Sequence, residues 1–419
     1  VIYDAAVIGA GTAGLAAALR MAEGGLKVIV YAKGVGSTHL TGGTIDVLGY
    51  TPHLVEHPET ELPSFVDAHP DHPYARLSVA TINDALGWFR GRMTTYDYTG
   101  NLAANLMLPT AAGAPKPSAL VPETMAAGDL RGGGRFVIVG FTQLKDFYPA
   151  YLADNLSRFE AAPGLPVNAR SVTQRAPIAQ ADVTPLSFAR HFEDAEFRKA
   201  VIAGLEREVG GSDAVGFPAV LGLGEARTVC QELQDGLGLP VFEVPTLPPS
   251  VPGMRMFNAL KRALSKAGGT VVMGGPALGA DATGERVEAL VTAAAARTRS
   301  YRARHFVLAT GGFASGGIVM DSTGAVKESV LGLPVAGVPP TGEERFSPGY
   351  WASHPMARAG VAVDDALRPV DADGDVLYAN VRIAGAAIAG AEPWREKSGE
   401  GITLATGYAA ASSILESDA

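Results

Sequence analysis

Apolar positions along this chain follow two rhythms, and the places where one gives way to the other predict its elements. Residues 3–8 form an apolar, β-prone run, the pattern of a strand buried on both faces of a parallel sheet. Gly9-Ala10-Gly11-Thr12-Ala13-Gly14 follows at once. Residues 15–23, rich in Ala and Leu, predict a helix that Gly24-Gly25 stops, and residues 27–31 predict a second buried strand. Strand, helix and strand within about 30 residues make a βαβ unit.

Between residues 51 and 130 the pattern weakens into Pro- and His-containing loops, with one helix over 77–93. It then resumes with a strand at 135–140, a helix at 149–159 with Pro149 in its first turn, and a short strand at 214–220 despite Pro218. A helix at 225–236 and a strand at 241–244 complete an alternation that predicts a second α/β layer. A Pro-rich loop at 245–253 marks the return to the first. Beyond it the sequence predicts a helix at 256–267, a strand at 270–273, antiparallel strands at 287–294 and 298–304, and a strand at 306–309. Last come a strand at 376–381, a small-residue stretch at 385–390 and a helix at 402–415.

The fold class that results is α/β: a Rossmann-like domain with a second α/β cap domain, an arrangement that resembles the fumarate reductase-like flavin-binding proteins. The expected division is 1–60, 246–320 and 359–419 for flavin binding, 61–245 for the cap and 321–358 for a return segment of the cap.

Composition narrows the partners. Of 419 residues, 47% are hydrophobic and 18% charged, with 51 Gly and 28 Pro, a globular profile rich in turns. A net charge of −9 without a basic stretch argues against nucleic acid. No apolar run approaches the roughly 20 residues that span a bilayer, and no charged leader precedes the first strand, so the chain reads as cytoplasmic. The single cysteine, Cys230, rules out an internal disulfide and an iron–sulfur cluster held by this chain alone. Electrons moving singly to a distant acceptor then need a partner protein.

The chemistry begins at the glycines. Gly9 permits a tight turn, Gly11 lets a pyrophosphate approach the backbone, and Gly14 lets helix and strand pack closely, while the helix start favours the anion. The acidic residue that usually ends the second strand and binds ribose is replaced by Ala32, followed by Lys33, a candidate phosphate contact. FAD follows from the fingerprint, and FMN stays open. The loop from Ser37 to Gly43 resembles one that runs beside the pyrophosphate and flavin ring in flavoproteins of the succinate dehydrogenase and fumarate reductase group. That makes Ser37 and Thr38 candidates for phosphate or ribityl oxygens, Gly42 and Gly43 for admitting the flat ring, and Thr41 a further cofactor contact. His39 is open between a loop residue, an acid/base or substrate contact, and a covalent flavin tether. Thr310, Gly311 and Gly312 form a second candidate flavin motif. Gly385, then Glu400 and Gly401 before a helix, form a third, whose N–H groups would face the flavin C2 carbonyl.

Arg190 and Arg255 are candidates for an anionic substrate, because guanidinium binds phosphate in bidentate fashion. His39 and His354 are the candidate bases. His69 and His72 read as loop residues held extended by their prolines, and no metal site is expected.

Taken together the segments resemble the family of the B subunit of anaerobic glycerol-3-phosphate dehydrogenase. The resemblance rests on Pro245-Thr246-Leu247-Pro248-Pro249-Ser250-Val251-Pro252-Gly253-Met254-Arg255 and on Leu308-Ala309-Thr310-Gly311-Gly312-Phe313-Ala314-Ser315-Gly316-Gly317. It continues through Leu331-Gly332-Leu333 and the stretch from Gly360 to Pro369, and is weakest over 85–180. It implies a flavin-dependent subunit of a quinone-linked complex that oxidises sn-glycerol 3-phosphate to dihydroxyacetone phosphate, with FMN as the flavin usually assigned. It also implies a sister flavoprotein subunit and an iron–sulfur subunit that attaches both to the inner face of the membrane. Two other readings stand beside it: an electron-transfer or structural flavoprotein subunit, and a stand-alone oxidoreductase of the fumarate reductase type.

Overall fold

The computed structural model describes residues 2–294, 297–340, 342–350 and 352–418. Strand Ile2–Ile8, helix Thr12–Glu23 and strand Val28–Ala32 form the first βαβ unit, with Ala5 opposite Val28 and Ile8 opposite Tyr31 in parallel register. Strand Thr270–Met273 extends the sheet beyond Val28–Ala32, and Arg297–Leu308 extends it on the other side, both parallel. The long strand Arg297–Leu308 changes partners along its free edge. Its first residues pair antiparallel with Arg286–Ala294, which pairs in turn with Ala277–Thr283, whereas Phe306–Leu308 pair parallel with Val381–Ile383.

Helix Thr12–Glu23 lies against helices Val251–Lys266 and Gly399–Asp418. Ala16, Ala17 and Ala18 are wholly buried, and side chains this small let the helix sit close to its neighbours.

The cap is a second sheet, ordered Val241–Val244, Ala214–Pro218, Gly134–Phe141, Val167–Gln174 and parallel throughout. Phe136, Phe141, Phe188, Phe192, Phe217 and Phe242 fill its core; each buried phenyl stabilises by about 2 kcal/mol or more. Pro218 is tolerated because it closes its strand, opposite Val244.

The structure departs from the sequence pattern where polar residues or prolines mask an element. Helix Val251–Lys266 starts inside the Pro-rich stretch: the Ser250 hydroxyl accepts from the Gly253 N–H at 3.1 Å and Pro252 sits in the first turn. Strand Val167–Gln174 is an edge strand whose side chains are mostly solvent-facing. The strand expected at 376–381 lies later, at Val381–Ile383, and Val376 makes only an isolated bridge with Val370.

Helices Pro58–Ala68 and Val79–Arg92 place Leu62, Phe65, Ile82, Leu86 and Phe89 in the core of the first sheet, not of the second. Leu333 joins that same core, and Val326, Val330 and Val335 pack against the core. The segments 61–245 and 321–358 are therefore not purely cap. No helix among the described residues is long and apolar enough to cross a membrane.

Candidate functional site

The ends of strands Ile2–Ile8 and Arg297–Leu308 lie side by side, Ile8 opposite Leu308, and the glycines that follow them interlock. Gly9 has φ +114°, and a Cβ there would lie 2.1 Å from the Ala309 carbonyl oxygen. A Cβ on Gly14 would lie 2.0 Å from the Gly9 oxygen. The protein's own packing requires both. Gly11 is different: the nearest atom to its Cβ position is Thr38 Oγ1 at 3.9 Å, so the space before it stays open. It precedes a helix with no side-chain cap, whose free N–H groups and dipole suit a phosphate.

The second and third motifs meet the first here. Gly311 has φ +79°, and a Cβ on Gly312 would approach the Ala386 oxygen to 2.8 Å. At Gly385, with φ +75°, a Cβ would lie 3.0 Å from Ala13 Cβ and 3.4 Å from Thr403 Cγ2; its N–H donates to Thr406 Oγ1 at 2.8 Å. Two buried polar atoms, Thr310 Oγ1 and His39 Nε2, have no partner among the described residues. An open anion cradle and unpaired polar atoms close to it fit a flavin dinucleotide.

The loop after Val28–Ala32 forms a short 3₁₀ turn, Gly36–Leu40. Thr38 is buried, its Oγ1 3.3 Å from Thr12 Oγ1. The side chains of Lys33 and Ser37 are exposed and bond no described residue. Thr41 Oγ1 donates to the Thr38 oxygen and accepts from the Gly43 N–H, each at 3.3 Å. The Pro-rich stretch backs this loop. The Ser250 N–H donates to the His39 oxygen at 2.7 Å, and a Cβ on Gly253 would lie 2.1 Å from the Thr38 oxygen.

Gly42 and Gly43 need correction as residues that open space for a ring. A Cβ on either would meet Pro245, at 3.3 Å, or Pro252, at 2.6 Å. Proline packing explains them. The His39 ring stands edge-on to Phe257, centroids 5.0 Å apart, and burial pushes its pKa below the ordinary histidine value.

Arg255 is also corrected. It is buried and paired in bidentate fashion with Glu243, at 2.5 and 2.9 Å, and Nε donates to the Gly222 oxygen at 2.8 Å. With four of its five N–H groups engaged by Gly222, Tyr96 and Glu243 and the side chain buried, it is a structural ion pair rather than a substrate contact. It ties helix Val251–Lys266 to the edge strand of the cap. Arg190 is exposed on helix Pro185–Phe192, and its side chain bonds none of the described residues.

At His354, Nδ1 accepts from the Ser347 N–H at 3.1 Å and Nε2 lies 3.3 Å from the Tyr350 oxygen. With both ring nitrogens engaged, His354 is a loop anchor rather than a free base. His72 is buried as well, with Nδ1 accepting from the Tyr74 N–H and Nε2 3.2 Å from Glu396. Gly401 does not present its N–H outward. That group donates to the Asp46 backbone carbonyl oxygen at 3.0 Å, and a Cβ on Gly401 would strike Tyr74 Oη at 2.4 Å.

That contact leads to a cluster of which the sequence motifs offer only Glu400. Asp46 is buried; it accepts from Thr44 Oγ1 at 2.8 Å, Ser118 Oγ at 2.7 Å and Lys116 Nζ at 2.7 Å. Glu400, in the first turn of Gly399–Asp418, faces this group. Burial first, and then the Asp46 carboxylate, push its pKa up to about 7. Two signals for the cluster do exist in the sequence: an acid inside the apolar run 45–48, and a lysine set between Pro115 and Pro117.

A family model described as an FAD binding domain matches residues 4–402. The probable B subunit of anaerobic glycerol-3-phosphate dehydrogenase from Halobacterium salinarum is 35% identical over 98% of this chain and 97% of its own length. The corresponding B subunit from Vibrio cholerae is 31% identical over 99% and 96%. Among solved structures, 3-ketosteroid Δ1-dehydrogenase of Sterolibacterium denitrificans aligns with a TM-score of 0.48 at 12% identity, over 99% of this chain and 100% of that one.

Fold, crevice and family match define a flavin-dependent oxidoreductase whose cofactor is FAD. Within that class, the chain belongs to the family of the B subunit of anaerobic glycerol-3-phosphate dehydrogenase.

Proposed function

We propose that this chain is the FAD-bearing subunit of a glycerol-3-phosphate dehydrogenase complex and oxidises sn-glycerol 3-phosphate to dihydroxyacetone phosphate. The observation that carries the reading is the meeting of the three glycine motifs, Gly9 against Ala309 and Thr310 and Gly385 against Ala13, in a chain matched nearly end to end by relatives named for that enzyme. Bound FAD supplies the two-electron acceptor. The residues of the chain hold and orient. Lys33, Ser37, Thr38 and the start of helix Thr12–Glu23 take the pyrophosphate. Thr41, Thr310, Gly311, Gly312 and Gly385 border the ring. Ala32 leaves the adenosine ribose without a carboxylate partner. His39 is the sequence-derived candidate for a substrate contact, since its Nε2 has no partner among the described residues.

Electrons leave through partners: a sister flavoprotein subunit and an iron–sulfur subunit that passes them to quinone at the inner face of the membrane. The lone Cys230, buried and pushed up to about 12 by that burial, suits a chain that delegates one-electron transfer.

The test is turnover of the full chain, copurified with its partners, on sn-glycerol 3-phosphate with a quinone analogue. Dihydroxyacetone phosphate formed at one equivalent per quinone reduced is the expected result. An assembly that retains FAD and forms none would overturn the reading. The closure of Arg255 within its ion pair favours one second reading, in which this subunit relays electrons and the sister subunit holds substrate. Flavin reduction by substrate only when the sister subunit is present would support that.

A further inference from the structure

Five glutamates of this chain bear on its interior, and four of them are spoken for. Glu243 is paired with Arg255, and Glu328 accepts from the Val330 and Leu331 N–H groups. Glu392 accepts from Ser353 Oγ and the His354 N–H, and Glu396 accepts from Ser398 Oγ and bonds His72. Glu400 is the exception. Its carboxyl is partly buried and, its own backbone N–H aside, makes no hydrogen bond or ion pair with any described residue. A carboxylate partly withdrawn from water without a partner carries a cost, and such groups concentrate where chemistry needs them.

Its place in the fold is fixed closely. Gly401 presses against Val47 and the Asp46 oxygen, which locks the first helical turn of Gly399–Asp418. The Thr403 hydroxyl donates to the Glu400 backbone carbonyl oxygen at 2.9 Å, and Thr403 adjoins Gly385, which adjoins Ala13 of the glycine fingerprint. Glu400 therefore stands one helical turn from the point where the three flavin motifs meet. Behind it Asp46 and Lys116 are bound to each other at 2.7 Å, so neither is free to neutralise it. Lys397, the other nearby cation, donates to the Trp394 oxygen at 2.7 Å.

We propose that the Glu400 carboxylate takes the hydroxyl proton of the substrate, and that Asp46 and Lys116 set the charge on Glu400. The inference rests on glycerol 3-phosphate being oxidised in this subunit. The O–H proton passes to Glu400 Oε and the C–O bond becomes C=O. The hydrogen on carbon leaves with its electron pair to the FAD acceptor, so charge and electrons balance. Every other titratable group facing Glu400 is accounted for. Asp46 raises it, while Lys116 and Lys397 lower it. Tyr74 and Tyr98 both feel the Glu400 charge and are themselves raised, by burial first, so they stay neutral. His39 is the competing base; it packs on Phe257 in the loop after the second strand.

The experiment is anaerobic mixing of the FAD-loaded full chain, with its partner subunit if that is needed for reduction, with sn-glycerol 3-phosphate across pH 5 to 9. Glycerol 3-phosphate binding is followed separately by calorimetry in buffers of different protonation enthalpy. In the native chain the reduction rate rises with pH to a plateau above about 7. Glu400→Gln keeps FAD and binds glycerol 3-phosphate within about threefold, loses roughly 10²–10⁴ in reduction rate, the usual share of a general base, and no longer shows that limb. Asp46→Asn moves the limb to lower pH and Lys116→Met moves it higher. Glu400→Gln reducing at the native rate with the same limb overturns the proposal, as does loss of the limb in His39→Gln alone. A native chain that binds FAD but is never reduced by glycerol 3-phosphate overturns the functional reading, and this inference with it.

Discussion

Two charged clusters join the halves of this molecule, and they are built on opposite rules. Around Arg255 every group is satisfied. Glu243 takes both guanidinium arms and also accepts from Thr124 Oγ1 and the Leu221 N–H, and the Tyr96 hydroxyl accepts from Arg255 Nη1 at 3.4 Å. Around Asp46 the satisfaction stops one residue short, because Asp46 and Lys116 are closed and Glu400 is left open. Both clusters are mixed in charge and close to a helix start, the first fully buried and the second partly. The difference is completeness. A cluster with all partners in place holds the fold together, and one with a spare carboxylate has something left to bind.

That contrast can be broken by mutation, and the largest effect is expected at the closed cluster. Arg255→Ala leaves the Glu243 carboxylate buried and unpaired, and is expected to lower stability by about 3–5 kcal/mol, read from the urea midpoint of the full chain. A change below about 1 kcal/mol there would mean that the pair is not the join between the two cores.

The open cluster is expected to act through pH. Glu400 sits above its ordinary value of 4.5, at about 7, so folding favours its protonated form. Its contribution to stability is complete below 4.5 and is lost as pH rises through about 7. At about 1.4 kcal/mol per pH unit, the loss is up to about 3 kcal/mol. Urea midpoints for the native chain should fall across that window, and Glu400→Gln should flatten the fall. Parallel curves for the two proteins would remove Glu400 from the buried group.

The smallest change in stability is expected at Gly11. Its Cβ position is open, so Gly11→Ala should unfold within about 0.5 kcal/mol of the native chain and yet retain less FAD after gel filtration. Gly14→Ala, whose Cβ would strike the Gly9 oxygen at 2.0 Å, should lose stability and FAD together. Equal behaviour of the two variants would show that the open space is not where the pyrophosphate lies.

What is legible in the sequence follows the same division. Gly9, Gly11 and Gly14 can be read because their spacing is dictated by local geometry between one strand and one helix. Strands Val28–Ala32 and Val241–Val244 can be read because burial on both faces leaves a continuous apolar run. Helix Pro58–Ala68, with Pro63 inside it, and the polar edge strand Val167–Gln174 give no such pattern.

At the site, Arg255 misleads because an arginine next to a family motif looks the same in sequence whether or not a glutamate meets it. Glu243 lies 12 residues away, on another element. His354 misleads for the same reason. Asp46 and Lys116 are invisible as a pair because 70 residues separate the two halves of their bond. Long-range partners decide which charged residues are spent, and composition and spacing do not encode them.

The central claim is that the crevice at Gly11 holds FAD, and the most direct measurement is equilibrium binding of FAD to the full chain, with the released chromophore identified by mass. Saturable uptake of one FAD per chain, abolished in a folded Gly11→Ala variant, is the predicted result. A native, folded chain that takes up neither FAD nor FMN would contradict it.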